Sequence, residues 1–364
     1  MLIYFVVLAI VVAAVYQASK AGTGRFERIS GYAIAFIVLI LLAGLRSENV
    51  GTDTYMYVHK FQQIGEWADI WKTQQEPGLY LLCWLGKFIS SDYALTFTLV
   101  AVIVTLCYLW GIRRYSVNPT ISAFVLLVSG INFFSYNTIR HGIAFALCFL
   151  AIPMIYQRKF WLFLILVALA SFFHLSSLLF LPAYFILPPR TDFRIFLLLI
   201  MLFASAVIYF QPLAELTKWI PYRGEWFSTY GVPRERAAGV TTTIFTGILG
   251  IFFLYFRRYV TEHRPLYELL VNMFLMGMII AILSVFKKTN PSGPLRISHF
   301  FTAGQILLWP IVVMNIKDPR FRPLFLTAFV IFYLIYYPLS LQRFSNLVPY
   351  TFNPSVQQWF STLF

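Results

Sequence analysis

An all-α, polytopic integral membrane protein with about 11–12 transmembrane helices is the fold class that the sequence predicts, and three observations predict it. Of 364 residues, 60% are hydrophobic and only 12% charged, with a mean hydropathy of +0.75, more apolar surface than a soluble chain can hide. Apolar runs of about spanning length, roughly 20 residues, recur from one end of the chain to the other. Lysines and arginines gather in short clusters between those runs, as the positive-inside rule requires. The formal net charge of +14 therefore reads as topology plus an anionic ligand, and nucleic acid is not expected as a partner. No soluble domain or low-complexity linker interrupts the chain, so 1–364 reads as one transmembrane domain.

The apolar runs occupy 2–18, 29–45, 93–112, 120–135, 139–156, 193–210, 241–256, 266–286, 297–316 and 323–341. The first lacks a basic leading segment and is expected to be a retained helix. Segment 79–89 is too short to span and reads as re-entrant or interfacial. Segment 160–187 is long for one span and short for two, with Ser171, His174, Ser176 and Ser177 at its centre. Cys83, Cys107 and Cys148 lack metal-ligand spacing and sit among apolar neighbours, which suits free buried thiols.

If the basic clusters at 20–28, 113–114, 158–159, 190–194, 257–264 and 317–322 are all cytoplasmic, segment 160–187 crosses twice with His174 near the outer turn. Loops 46–92 and 211–240, the 287–296 link and the last segment then share the outer face. These loops interleave acids and arginines with tryptophans and tyrosines. Aromatic rings beside hydrogen-bonding side chains suit sugars, whose faces are apolar and whose edges carry hydroxyls; the bland reading is an interfacial aromatic belt. Tyr57, Trp226, Arg234 and Arg236 are the candidate glycan contacts, and loop 211–240 the candidate for acceptor selection.

The densest chemistry follows the second apolar run, in Arg46-Ser-Glu-Asn-Val-Gly-Thr-Asp-Thr-Tyr-Met-Tyr57. Arg46 is placed to reach lipid head groups or an anionic substrate, and a pair with Asp53 is a further reading. Gly51 permits a tight turn, and Asp53 between Thr52 and Thr54 can bond local amides or face substrate. Glu76, ahead of Pro77 and Gly78, suits a helix N-terminus or the work of a general base. Arg140 and His141 sit in a very short turn between two spans; Arg140 has no acid near it in sequence, so either lipid phosphate or another non-protein anion would partner it. His174 among serines is either a hydrogen-bonded structural residue or a general base, and without a second ligand at the right spacing it does not suggest a metal. Arg296 and His299 open a later span after Lys287 and Lys288. Several arginines with few neutralising acids suit a lipid diphosphate: each at ~4 Å contributes on the order of a few kcal/mol in a partly dry site. Such a site needs no divalent metal, and neither metal nor cofactor is expected.

Arg46 to Tyr57 with its Val-Gly-Thr-Asp-Thr core, Glu76-Pro-Gly-Leu-Tyr80, Arg140-His141-Gly142, Ser171 with His174 and Ser177, and Arg296 together resemble the EpsG family of Wzy-type polysaccharide polymerases. The pattern runs in order along most of the chain, and the Val-Gly-Thr-Asp-Thr block is its most specific part. The resemblance implies a GT-C-like helical fold in the bacterial inner membrane, acting on the periplasmic face. It implies transfer of a growing glycan from undecaprenyl diphosphate onto a newly arrived lipid-linked repeat unit, in O-antigen, capsule or exopolysaccharide biosynthesis, with membrane lipids and a chain-length regulator as further partners. By analogy Arg46, Arg140 and Arg296 would hold diphosphate, and His174, Asp53 or Glu76 would activate the acceptor hydroxyl. His141 departs from the glutamine-like residue expected after the arginine.

An O-antigen ligase would use similar arginines with another acceptor. A lipid-linked oligosaccharide transporter or flippase would share the arginines and aromatic loops but more often has internal repeats and mid-membrane charges, neither of which the sequence presents. A membrane acyltransferase would suit His174 among serines, but no paired His-Asp motif accompanies it.

Overall fold

A computed structural model describes residues 1–72, 76–187, 199, 200, 202, 239–288 and 293–363. Among these the chain is helical, and no strand occurs beyond one isolated antiparallel bridge between Arg46 and Phe352. In chain order the helices are α1 (Leu2–Ser19), α2 (Arg25–Gly44), α3 (Thr54–Gln63), α4 (Asp69–Lys72), α5 (Pro77–Ile89), α6 (Tyr93–Tyr115), α7 (Pro119–Val128), α8 (Ile131–Asn137), α9 (Ile139–Tyr156), α10 (Phe160–Phe173), α11 (Ala183–Ile186), α12 (Val240–Phe256), α13 (Arg264–Phe286), α14 (Pro294–Thr302), α15 (Gln305–Met314), α16 (Phe321–Leu339) and α17 (Pro354–Leu363). Among the described residues eight spans are long and apolar enough to cross a membrane, or nine if α14 and α15, bent by 41° about Ala303 and Gly304, count as one broken span. This is a polytopic, all-helical membrane protein, with fewer full spans among the described residues than the apolar runs suggest.

Two differences account for part of the gap. All but three residues of the run 193–210 lie outside the described residues, as do Trp226, Arg234 and Arg236. Segment 160–187 does not supply two spans: α10 has 14 residues, about 21 Å at 1.5 Å per residue, and is followed by a 3-10 turn at Leu175–Phe180 and the four-residue α11. The break falls at His174, whose backbone is extended (φ −156°, ψ 110°). The double crossing expected from loop parity is therefore not made by two full-length helices.

The described residues form two compact units, Met1–Leu147 with Ile316–Phe364, and Cys148–Asn315. In the first, α1 and α2 form an antiparallel pair brought close at Gly31, where a Cβ would lie 2.6 Å from the Ala14 carbonyl. Asp92 caps α6 by accepting from the Ala94 N–H at 2.8 Å, and Arg113 and Arg114 occupy its last turn, where cations favour the helix dipole. Asn118 caps α7 by accepting from Ile121 N–H at 3.2 Å. The run 120–135 breaks at Gly130, which takes φ +81°, a conformation that glycine adopts without strain, and α8 starts anew. An aromatic cluster fills the unit's centre: Tyr4 meets Phe133 edge-on at 5.5 Å and Tyr350 at 5.8 Å, and Phe133 meets Tyr337 at 6.0 Å. The ring hydroxyls are satisfied by backbone, Tyr4 donating to Leu347 O at 2.7 Å and Tyr350 to Leu42 O at 2.9 Å. The segment after α16 is thereby pinned onto α1 and α2.

In the second unit, Phe253 of α12 packs edge-on against Phe274 of α13 at 5.2 Å and Trp309 of α15 at 5.1 Å. Gly277 lets α14 approach α13, since a Cβ there would lie 2.7 Å from Ser298 O. Asn315 accepts from the Thr261 and Glu262 amides at 2.8 and 2.9 Å and so ties the end of α15 to the α12–α13 connection. Cys83, Cys107 and Cys148 are free and buried, as their apolar neighbours predict.

Candidate functional site

The loop after α2 is held by a segment about 300 residues later in the chain. Ser47 N–H donates to Thr351 O at 2.8 Å, Asn353 N–H to Leu45 O at 2.8 Å, and Gly51 N–H to Asn346 O at 3.0 Å. Ser47 and Thr351 hydroxyls lie 2.6 Å apart. Asn137, the last residue of α8, joins both segments of this arrangement: its Oδ1 accepts from Thr52 N–H at 2.8 Å and its Nδ2 donates to Ser345 O at 2.7 Å. Gly51 takes φ +108°, and a Cβ on it would run into Asn137 Oδ1 and lie 2.8 Å from Thr54 Oγ1. Glycine is thus required both for the turn and for the asparagine's approach. Thr54 is fully buried and donates to Val50 O at 2.6 Å, so its hydroxyl closes the loop and faces no substrate.

Arg46 does not pair with Asp53. It is 2% exposed and lies between the rings of Phe97 and Tyr136, at 4.3 and 4.5 Å from their centroids. Its guanidinium donates to the carbonyls of Ala43 and, at 3.4 Å, Tyr136, while Nε is buried with no hydrogen-bond partner. Burial pushes its pKa down, and the surrounding tyrosines Tyr136, Tyr350, Tyr4 and Tyr93 oppose this; a guanidinium stays protonated regardless. Arginine suits this place because a planar, weakly hydrated cation can stack on two rings.

Arg140 stands three residues past Asn137, at the start of α9. Gly142 allows α9 to turn back on α8, since a Cβ there would lie 2.5 Å from Ser135 Cα. Arg140 reaches Glu76, with Nη1 2.6 Å from Oε2 and side-chain exposures of 13% and 6%. Its partner is therefore an acid 64 residues away, a contact that the local sequence does not reveal. Glu76 occupies the N-cap position of α5 without capping it by its side chain; its carboxylate goes to Arg140. His141 is 3% exposed and lies edge-on to Phe134 at 5.3 Å, packed inward beside the arginine.

Lys60, not singled out by the sequence, joins this cluster. It lies one turn past Tyr57 on α3, half-buried, with Nζ 5.7 Å from the Tyr57 ring centroid. Burial first, and the charge of Arg140 second, push its pKa down to about 8, with Cys83 acting in the other direction. Glu76, Tyr80 and Cys83 recur along one side of α5 at spacings of four and three, and the charges that act on Lys60 are those of Arg140, the partner of Glu76, and of Cys83. Tyr57 is 5% exposed, so most of its ring packs within the unit. Asp53 precedes α3 and does not cap it by its side chain; it is partly exposed beside the exposed Thr52.

His174 and Arg296 belong to the second unit. His174 ends α10, 6% exposed, its N–H donating to Ala170 O and its carbonyl accepting from Ser177 N–H at 3.0 Å. The Ser176 and Ser177 hydroxyls beside it are buried with no hydrogen-bond partner. Arg296 is partly exposed in the first turn of α14. The structure thus brings Asp53, Tyr57, Glu76 and Arg140 into one unit, around a loop that Asn137 and residues 345–353 hold in shape. Among the described residues no group of three or more His, Cys, Asp or Glu is arranged to hold a metal.

The chain is 24% identical over 347 residues to "Amylovoran biosynthesis protein AmsC" of Erwinia amylovora, a match covering 89% of each chain. No solved structure matches. The EpsG family model matches residues 31–352, a stretch that contains the loop, Lys60, Glu76, Arg140, His174 and Arg296. The chain belongs to the EpsG family.

Proposed function

We propose that this protein is a polysaccharide polymerase, joining repeat units carried on undecaprenyl diphosphate at the outer face of the bacterial inner membrane. The observation that carries the reading is the largely buried Arg140–Glu76 pair with the Lys60 cation near enough to feel the charge of Arg140, on a family member whose relative is named for amylovoran biosynthesis. Two cations against one acid leave one positive charge in a half-dry setting, which favours a polyanion. In the reaction, an acceptor sugar hydroxyl attacks the anomeric carbon of the donor. The bond from that carbon to the diphosphate oxygen breaks, the lipid diphosphate leaves with the electron pair, and a base takes the hydroxyl proton. Arg140 and Lys60 would stabilise the charge that grows on the leaving oxygen, and Glu76 would hold the Arg140 guanidinium in position. Asp53 and His174 are the candidate bases, Arg296 a further diphosphate contact, and Trp226, Arg234 and Arg236 the acceptor contacts. Arg46, enclosed between two rings, would act by fixing the loop. No metal is part of this scheme.

The test supplies purified protein with lipid-linked repeat units in lipid nanodiscs, with and without a lipid A core acceptor and a chelator. A ladder of lengthening glycan that forms without the core acceptor and survives the chelator is expected. Transfer only to the core acceptor would make the protein a ligase, and movement of units without new linkages would make it a transporter.

A further inference from the structure

Helix α17 lies beyond the family-matched residues 31–352 and takes no part in the site. It carries no charged residue, and its sequence repeats apolar residues at 356, 359, 360 and 363 with serine, threonine and glutamine between them. That spacing places Val356 and Trp359 on one helix face and Gln358 and Ser361 opposite. Trp359 is 58% exposed. Ten residues make about 15 Å of helix, half the thickness of a hydrocarbon core, so α17 cannot span.

Its starting level is fixed. Asn353, 1% exposed, donates its N–H to Leu45 O at the end of the α2 span, and its Nδ2 to Asp92 Oδ1, the cap of the α6 span, at 2.9 Å. Its Oδ1 accepts from Ser355 N–H at 2.8 Å in the first turn of α17. The helix therefore begins where two spans leave the membrane, and tryptophan is the residue that favours that layer.

We propose that α17 lies in the membrane–water interface, with the face of Val356 and Trp359 set among lipid head groups and upper acyl chains, so that the bilayer holds the strap that shapes the site loop. Because the helix is uncharged, hydrophobic burial alone places it there, and anionic lipid is not needed.

The experiment uses the full chain in nanodiscs of phosphatidylcholine, with Trp359→Cys, Val356→Cys or Gln358→Cys carrying an environment-sensitive fluorophore; the three native cysteines are buried. Spin-labelled lipids should quench positions 356 and 359 at least about twofold more than 358, and more from a shallow than from a deep label, as expected for burial of about 5–10 Å. Adding phosphatidylserine should leave that pattern unchanged. Equal quenching at all three positions would overturn the proposal. So would protection of 356 and 359 from lipid quenchers together with crosslinking between copies, which would make the face a protein interface. Neither readout depends on catalysis, so failure here leaves the proposed activity standing.

Discussion

Arg46 and Arg140 both follow apolar runs at a membrane boundary, and their surroundings give them different work. Arg46 is closed in by Phe97 and Tyr136 with both terminal nitrogens on backbone carbonyls, whereas Arg140 meets a carboxylate beside a second cation. Arg46→Lys keeps the charge but loses the planar stacking and the forked donors. It should lower unfolding stability by on the order of 2–4 kcal/mol, measured by thermal unfolding in detergent. Unchanged stability would argue that the rings do not hold the cation. For Lys60 the sign is as follows. Its folded pKa, about 8, lies below the ordinary lysine value, so its burial cost is constant below about 8 and is relieved between there and the ordinary value, a window in which stability rises with pH. Anion binding runs the other way, because it needs the cation. Affinity for a soluble diphosphate should fall as pH rises through about 8, and Lys60→Arg should flatten that fall; a fall of equal size in the Lys60→Arg protein would assign it to another group.

At the scale of elements, the loop between α2 and α3 is shaped by contacts from distant parts of the chain. Asn137 bridges Thr52 to Ser345, and Asn137→Ala should cost about 1–3 kcal/mol while raising amide exchange in 46–53 and 345–353 together. Exchange rising in only one of the two segments would contradict the bridge. The sequence announces the loop through Gly51 and its flanking threonines, and α1, α2, α6, α9 and α13 fall where the apolar runs do. It is silent on Asn137 and Ser345, 208 residues apart, because a side-chain amide at a helix end has the same local signature whether it faces water or a strap. The Arg140–Glu76 pair was hidden for the same reason: each residue had an adequate local explanation, snorkelling for one and capping for the other. The interruption at Gly130, where the glycine takes φ +81° within one apolar span, was blurred because both of its sides are apolar, and hydropathy does not register a backbone dihedral.

Across the whole molecule, basic clusters between short-looped spans set the expected orientation, with loop 46–53 outside. The exposed Thr52 offers a direct test. Thr52→Cys in intact bacterial cells should react with a membrane-impermeant thiol reagent, whereas Lys20→Cys, in the α1–α2 connection, should react only after the cells are opened. The reverse pattern would invert the topology and place the Arg140 cluster on the cytoplasmic side. Uniformly apolar runs mark a polytopic helical membrane protein but fix neither the number of full crossings, as segment 160–187 shows, nor which polar termini meet, so class was readable from composition while the site's pairings needed coordinates.

The most direct measurement compares glycan ladders made from lipid-linked repeat units by the wild type, Arg140→Gln, and Arg140→Gln combined with Glu76→Gln, at matched folded protein. Removing the arginine alone strands a buried carboxylate and should destabilise by about 3–5 kcal/mol; the double variant should regain most of that stability. The account predicts a folded double variant that yields only single repeat units. A folded double variant with a full-length ladder would contradict it.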